Sequence, residues 1–270
     1  MNAQTKGGMV DIHCHMLPGL DDGADCLEES FRMAQMAVRD GISTVVVTPH
    51  QLGAYTRNSG ELIREATRSF QSRLKQAGIP LQVLPGADVR IEKGFVRGVL
   101  RGDVMSLADH RKAVLLELPH ELYFSLEPIL DELRSAGMQG ILSHPERNQG
   151  ILKRRDVVPK LVDHGCLMQV TAGSLVGSMG PVCQAFSEWM LRQGLVHFIA
   201  TDAHGSKSRR PRLAPARKVV TELTDAATAH ELLVENPGRI AAGKAVPEGR
   251  RKVVPARRQG KGWFGFGKAS

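Results

Sequence analysis

The chain has 270 residues, of which 42% are hydrophobic and only 4% aromatic, and a formal net charge of +8. Of that charge, +7 lies in Lys244–Ser270, where eight Lys/Arg meet a single Glu. The remaining body is nearly neutral and offers no basic track for a nucleic-acid backbone. No apolar run approaches the ~18 residues that span a bilayer, and Met1–Gly8 leads into no signal-peptide core. Cys14, Cys26, Cys166 and Cys183 form no CxxC pair, so a reducing cytoplasm is the expected setting.

In chain order, the predicted strands are Met9–Ile12, Thr44–Thr48, Gln82–Pro85, Ala113–Leu116, Gly140–Ser143, Leu167–Thr171 and His197–Thr201. Helical patterns separate them, among them "LEESFRMAQMAVRDG", "SGELIREATRSFQSRLKQAG", "SLEPILDELRSAG" and "PVCQAFSEWMLRQG", each closed by a glycine. Apolar strands alternating with helices predict parallel pairing with the helices outside. Units recurring every 30 residues or so suit a barrel better than an open sheet. One domain is expected over residues 1–247, followed by a basic Gly- and aromatic-containing tail, 248–270, that composition marks as disordered.

Polar residues follow these strands in one phase. His13 and His15 follow the first strand and His50 the second; Asp88, Glu117 and His144 follow the next three, and Asp202 and His204 the last. In a parallel barrel this is the end where loops converge on a single mouth. Each piece has an ordinary reading on its own: His-x-His as a surface pair, Asp21-Asp22-Gly as a turn, "TDAHG" as a loop. Together they would all have to land independently at the same end. Imidazoles mixed with carboxylates suit Zn²⁺, Mn²⁺ or Fe²⁺. There are too many donors for one tetrahedral ion, so two or three ions sharing a carboxylate are expected. Cys14 should point away from its flanking histidines, into packing. His110, His164, His197 and His230 fall outside the pattern. Cys26–Arg32 has the C-x5-R spacing of cysteine phosphatases, but "LEESF" is helix-forming and acidic where such a loop needs glycines around phosphate.

The segments "DIHCHMLPGLDDGA", "VVVTPH", "PGADVRI", "VLLELP", "ILSHPERN", "GCLMQVTAGSLVG" and "FIATDAH", with a weaker "VENPGRIAAGKAVP", resemble the PHP (polymerase and histidinol phosphatase) superfamily. Within it the chain is similar to the bacterial manganese-dependent protein-tyrosine phosphatases of capsule and exopolysaccharide operons. The resemblance implies a distorted (β/α)7 barrel with metal ligands His13, His15, Asp22, His50, Asp88, Glu117, His144, Asp202 and His204. It implies two or three divalent ions, Mn²⁺ first, with Fe or Zn as substitutes. One ion would take His13, His15, Asp88 and Asp202, a second Asp88, Glu117 and His144, and a third Asp22, His50 and His204.

Asp88 departs from the pattern, since relatives usually carry Glu there, one methylene longer. Arg147 and Arg209 match phosphate-binding arginines, with Arg210 competing for the second place. The implied chemistry is attack by a water activated between ions, with tyrosinate leaving and no phosphoenzyme; Asp202 would position metal and water. The implied partner is a phosphotyrosine protein, an autophosphorylating tyrosine kinase of polysaccharide export. Trp263, Phe264 and Phe266 of the tail would contact an anionic membrane at its inner face, or an acidic partner. Rival readings are a PHP phosphoesterase for a small metabolite such as histidinol phosphate, a nuclease, which the neutral body disfavours, and a metal-stabilised binding module.

Overall fold

A computed structural model describes residues 7–252. Nine parallel strands form its sheet: β1 (Met9–Cys14), β2 (Ile42–Val47), β3 (His50–Gln51), β4 (Gln82–Pro85), β5 (Asp88–Arg90), β6 (Ala113–Glu117), β7 (Gln139–Ser143), β8 (Leu167–Thr171) and β9 (Phe198–Ala200). Pairing runs β1-β2-β4 and, separately, β3-β5-β6-β7-β8-β9. The gap between the two sets falls where Pro49 and Pro85-Gly86 interrupt the chain, because proline supplies no ladder donor. Gly86 has no room for a side chain there: a Cβ would lie 2.7 Å from Val46 Cγ1. Thus β2 resumes as β3 and β4 as β5, giving seven staves. The last returns to the first through a parallel bridge, Cys14 to Ala203, supported by Asp202 N–H donating to His13 O at 2.7 Å.

The sequence pattern predicts loop positions for His50 and Asp88. They stand instead directly opposite one another on β3 and β5, and His13 lies inside β1 rather than after it. Strands of two or three residues are too short to carry a period.

Inside the curl, Val10, Ile12, Val46, Leu115, Ile141, Leu167, Phe198 and Ala200 pack into one apolar cluster. Two residues beyond Leu115, Leu167 and Ala200 come Glu117, Gln169 and Asp202. Strand alternation therefore stacks a polar layer directly above an apolar plug. In β1 the register slips between Asp11 and Cys14, and Cys14 joins the larger outer core.

Helices cover the outside. The helix Gly60–Gln76 is capped by Ser59, whose side chain accepts from Leu62 N–H at 3.2 Å. It buries Ile63, Thr67, Phe70 and Leu74 along one stripe. No helix among the described residues is long and apolar enough to cross a membrane.

The barrel's contacts continue past Pro247. Gln139 donates to Glu248 (2.8 Å), Arg250 pairs with Asp163 (2.6 Å), and Arg251 N–H donates to Gly194 O (2.8 Å). This strap crosses the N-terminal ends of β7 and β9, opposite the polar layer. The aromatic residues Trp263, Phe264 and Phe266 lie outside the described residues.

Buried His197 ties the strap down: its Nδ1 accepts from Met168 N–H (3.0 Å) and its Nε2–H donates to Gly249 O (2.9 Å). Burial pushes its pKa down to about 4, so the folded state takes up its proton later than the unfolded one. Its contribution is complete above the unfolded value near 6.5 and is lost as pH falls through 4. In denaturant melts, the stability advantage of the wild type over His197→Gln is expected to narrow steadily from pH 7 to pH 4.5. A gap independent of pH would contradict this.

Candidate active site

The polar layer is built from the strand ends inward. His13 and His15 share a face of the extended chain, and each has its Nδ1 engaged behind it. His13 Nδ1 donates to Gln169 Oε1 at 2.8 Å, and His15 Nδ1 to Asp21 Oδ2 at 2.7 Å. Held this way, the two Nε2 atoms face each other across 3.1 Å. Asp21 also accepts from His50 N–H (3.0 Å) and Gly23 N–H (3.0 Å). The turn closes so tightly that a Cβ on Gly23 would lie 2.2 Å from His15 O. Asp21 therefore sets the ring of His15, the backbone of His50 and the loop that carries Asp22.

The carboxylates interleave with these rings. Asp88 is fully buried; its Oδ2 lies 3.5 Å from His13 Nε2, 3.6 Å from His50 Nδ1 and 3.9 Å from His144 Nε2. Pairing of β5 with β3 and β6 brings the backbone close enough for the shorter acid to reach three imidazoles. Asp202 Oδ1 lies 3.3 Å from His13 Nε2 and 3.5 Å from His15 Nε2. Asp22 Oδ1 is 3.5 Å from His50 Nε2 and 3.4 Å from His204 Nε2. Glu117 Oε2 is 3.7 Å from His50 Nδ1.

All nine expected donors thus converge, in four groups: His15, Asp22, His50 and His204; His13, His15 and Asp88; His13, His144 and Asp202; and His50, Asp88 and Glu117. In these groups His144 stands with His13 and Asp202 and also lies 3.9 Å from Asp88 Oδ2, while His50 is shared with the Asp88–Glu117 group.

The electrostatics favour cations. Burial pushes Asp88 and Asp202 up, but the surrounding imidazoles outweigh it and hold both well below the usual carboxylate range. Burial lowers His15, but Asp202 and Asp21 overcome it and raise its pKa to about 10. Burial drives His144 down to about 3 and His204 to about 4, which keeps both rings neutral with a lone pair available. Burial, with the neighbouring Asp88 charge, lifts Glu117 to about 7. Both oxygens of Asp88, Nδ1 of His50 and Nε2 of His204 are buried with no hydrogen-bond partner. Buried donor atoms of this kind are costly unless a group such as a metal ion satisfies them, so the residues fit divalent ions.

The donors open on a cavity of about 170 Å³, lined also by Arg147, Asn148, His120 and Arg209. Asp202 Oδ2 receives both guanidiniums, Arg209 Nη2 at 2.6 Å and Arg147 Nη1. Arg210 turns away and donates its Nε–H to Lys207 O, so of the two competing arginines Arg209 is the one at the cavity. His144, Asp202 and Arg209 all adopt left-handed backbone (φ 34°, 50° and 46°), a strain of about 1–3 kcal/mol each that clusters at functional sites.

Arg147 sits on a short turn fixed from behind. Buried Glu146 accepts from Thr171 N–H (2.9 Å) and Ser174 Oγ–H (2.7 Å), and Asn148 donates to Pro119 O (2.7 Å) and Leu122 O (3.0 Å). His164 and His110 are engaged elsewhere: His164 pairs with Asp131 and His110 with Ala241 O. Cys26 immediately precedes the helix Leu27–Arg39 and Arg32 pairs with Glu29 (2.7 Å), so the C-x5-R segment is helix, not a phosphate loop.

Fold and site together define a PHP-type barrel with a metal-donor set at its mouth. The chain belongs to the capsular polysaccharide synthesis family CpsB/CapC, whose model matches residues 9–242. It is 38% identical over 202 residues to the tyrosine-protein phosphatase YwqE of Bacillus subtilis, a match covering 74% of this chain and 79% of that one. It is 26% identical over 237 residues to the tyrosine-protein phosphatase CpsB of Streptococcus pneumoniae, covering 86% and 98%. Its backbone also superposes with a TM-score of 0.86 on a chain from the crystal structures of YwqE and CpsB, described as unique metal-dependent tyrosine phosphatases. There the identity is 33%, with 91% of this chain and 99% of that one covered.

Proposed function

We propose that this chain is a metal-dependent protein-tyrosine phosphatase working without a cysteine nucleophile. The observation that carries the reading is the convergence of five imidazoles and four carboxylates, with partnerless buried donor atoms, beside two guanidiniums at one mouth. His13, His15, Asp22, His50, Asp88, Glu117, His144, Asp202 and His204 would hold two or three divalent ions. Nitrogen and oxygen donors without thiolate suit Mn²⁺, with Fe or Zn as substitutes. Bound there, such ions acidify water and offset the charge of a phosphoryl group.

The protein's own part is orientation. Arg147 and Arg209 approach Asp202 together, and planar guanidiniums so placed grip phosphoryl oxygens and hold phosphorus for in-line attack. Asp202 fixes both arginines against the imidazoles of His13 and His15. Tyrosinate, with an ordinary pKa near 10, leaves without a strong general acid. Cys14 takes no part: it is buried outside the ring, and burial pushes its thiol far up.

Gln169 is a positioning residue in this scheme. With its acceptor gone in Gln169→Leu, His13 loses the partner that fixes its tautomer, and affinity for Mn²⁺ is expected to fall about 10- to 100-fold. Titration calorimetry measures it; unchanged affinity would remove Gln169 from the role.

The substrate we assign is a phosphotyrosine protein, in this family's setting a tyrosine autokinase of capsule or exopolysaccharide export. The barrel is the catalytic unit, and segment 253–270, basic with Trp263, Phe264 and Phe266, makes a weak contact with the anionic inner face of the membrane. Co-sedimentation with anionic vesicles is expected to disappear on deleting 253–270 while turnover of a small phosphate ester stays intact; loss of that turnover would sink the appendage idea.

The substrate test compares phosphotyrosine peptide, phosphoserine peptide and histidinol phosphate on Mn²⁺-loaded protein. Preference for the phosphotyrosine peptide supports the reading. Turnover of histidinol phosphate alone would shift the same centre to a metabolite phosphatase.

A further inference from the structure

We infer that the segment from Gly205 to Arg212 reads negative charge in the peptide beside the phosphotyrosine. The inference rests on the phosphatase reading above and assigns its peptide preference. A groove of about 500 Å³ adjoins the active-site cavity, and Arg209 lines both. One wall carries Lys207, Arg210 and Arg212; Val176, Met179 and Pro215 supply an apolar side.

The segment "GSKSRRPR" holds four cations and no acid. Two of the four are engaged. Arg209 binds Asp202, and Arg212 Nε lies 3.2 Å from Asp40 Oδ1. Lys207 and Arg210 are exposed and have no carboxylate within 4.0 Å among the described residues. Besides Asp202, two acids that contact this segment are already committed: Asp40 to Arg212 and to the N–H groups of Leu213 (2.6 Å) and Ala214 (2.8 Å), and Glu29 to Arg32 and Ser206 N–H (2.5 Å). The same contacts pin the loop at both ends, and His204 N–H donates to Arg209 O (2.9 Å) across it.

Two unspent cations on a fixed loop, Lys207 two residues before the phosphate-gripping Arg209 and Arg210 one after it, form a complementary surface for carboxylates flanking the phosphorylated residue. The exposed Val176 opposite gives an apolar side chain of the same peptide a place to rest. The occupant is an acidic peptide segment.

The test uses metal-loaded full-length protein and three phosphotyrosine peptides of equal length, flanked by Asp/Glu, by Asn/Gln or by Lys. The acidic peptide is expected to show a KM about tenfold below the neutral one at similar kcat, with the gap closing as salt rises. Lys207→Glu/Arg210→Glu should erase or reverse the preference and leave kcat on the neutral peptide unchanged. Lys207→Gln/Arg210→Gln, which adds no new charge, should erase it as well. Equal kcat/KM for acidic and neutral peptides, or a preference that survives both double variants, overturns the proposal. Turnover of none of the peptides would remove the phosphatase reading and this proposal with it.

Discussion

Asp88→Asn is expected to lose most of its bound metal and to hydrolyse phosphotyrosine peptide about 10³-fold or more slowly, beyond the 10- to 100-fold typical of residues that only support a ligand. Asp88 belongs to two of the four donor groups, is fully buried and has both oxygens without a partner. Asparagine keeps the volume but removes the charge that His13, His50 and His144 surround. One of its two terminal atoms becomes an N–H donor aimed at nitrogen lone pairs, which repels a cation as well. Asp88→Glu keeps the charge and adds a methylene, so its metal content should stay near that of the wild type. Metal analysis of the purified proteins alongside kcat/KM checks both variants. Full metal content and activity in Asp88→Asn would contradict the assignment of Asp88 as a shared ligand.

Arg147→Ala should retain its metal and lose about 10²–10³-fold in kcat, the usual effect of deleting one donor to transition-state charge. Arg147 reaches Asp202 from a turn locked by Glu146 and Asn148, so the guanidinium is placed before substrate arrives and little ordering remains to be done. Arg147→Lys should recover only part of the loss, because an ammonium lacks the planar fork that spans two phosphoryl oxygens. Unchanged kcat with a raised KM would make Arg147 a binding group with no special role in the transition state.

Much of this centre is legible in the chain because a parallel barrel turns strand ends into one place. His13, Glu117, His144 and Asp202 are far apart in sequence, yet each follows an apolar run, and that phase alone predicts a shared mouth. The strand-end donors can be named this way, with the superfamily resemblance adding Asp22 and the arginines. The choice between Arg209 and Arg210 cannot, since adjacent arginines differ only in the left-handed backbone that turns Arg209 inward.

Other features are hidden for identifiable reasons. β3 and β5 are too short for any period, so the direct pairing of His50 with Asp88 appears only in three dimensions. The spacing of donor atoms depends on ångström-scale side-chain placement, which sets His144 near both Asp88 and Asp202. Asp21, Gln169 and Glu146 act behind the rings and the arginine, and no spacing rule marks a residue whose partner is a ring nitrogen or a turn on another strand. Asp21 does leave a trace, the doubled acid before Gly23: one aspartate faces the centre and the other braces it. His120 lines the mouth three residues beyond Glu117 and lies past the strand-end phase. The strap Glu248–Arg251 reads as tail by composition, because its basic residues resemble those of segment 253–270; its backbone pairing to Gly194 gives it away.

The most direct test of the account is phosphotyrosine-peptide hydrolysis by chelator-stripped protein, monitored as Mn²⁺ is added back, with a parallel sample whose cysteines are alkylated. Activity is expected to vanish on stripping, to return with Mn²⁺ to a plateau at two or three ions per chain, and to be indifferent to alkylation. Activity that survives complete removal of metal, or that alkylation abolishes, would contradict it.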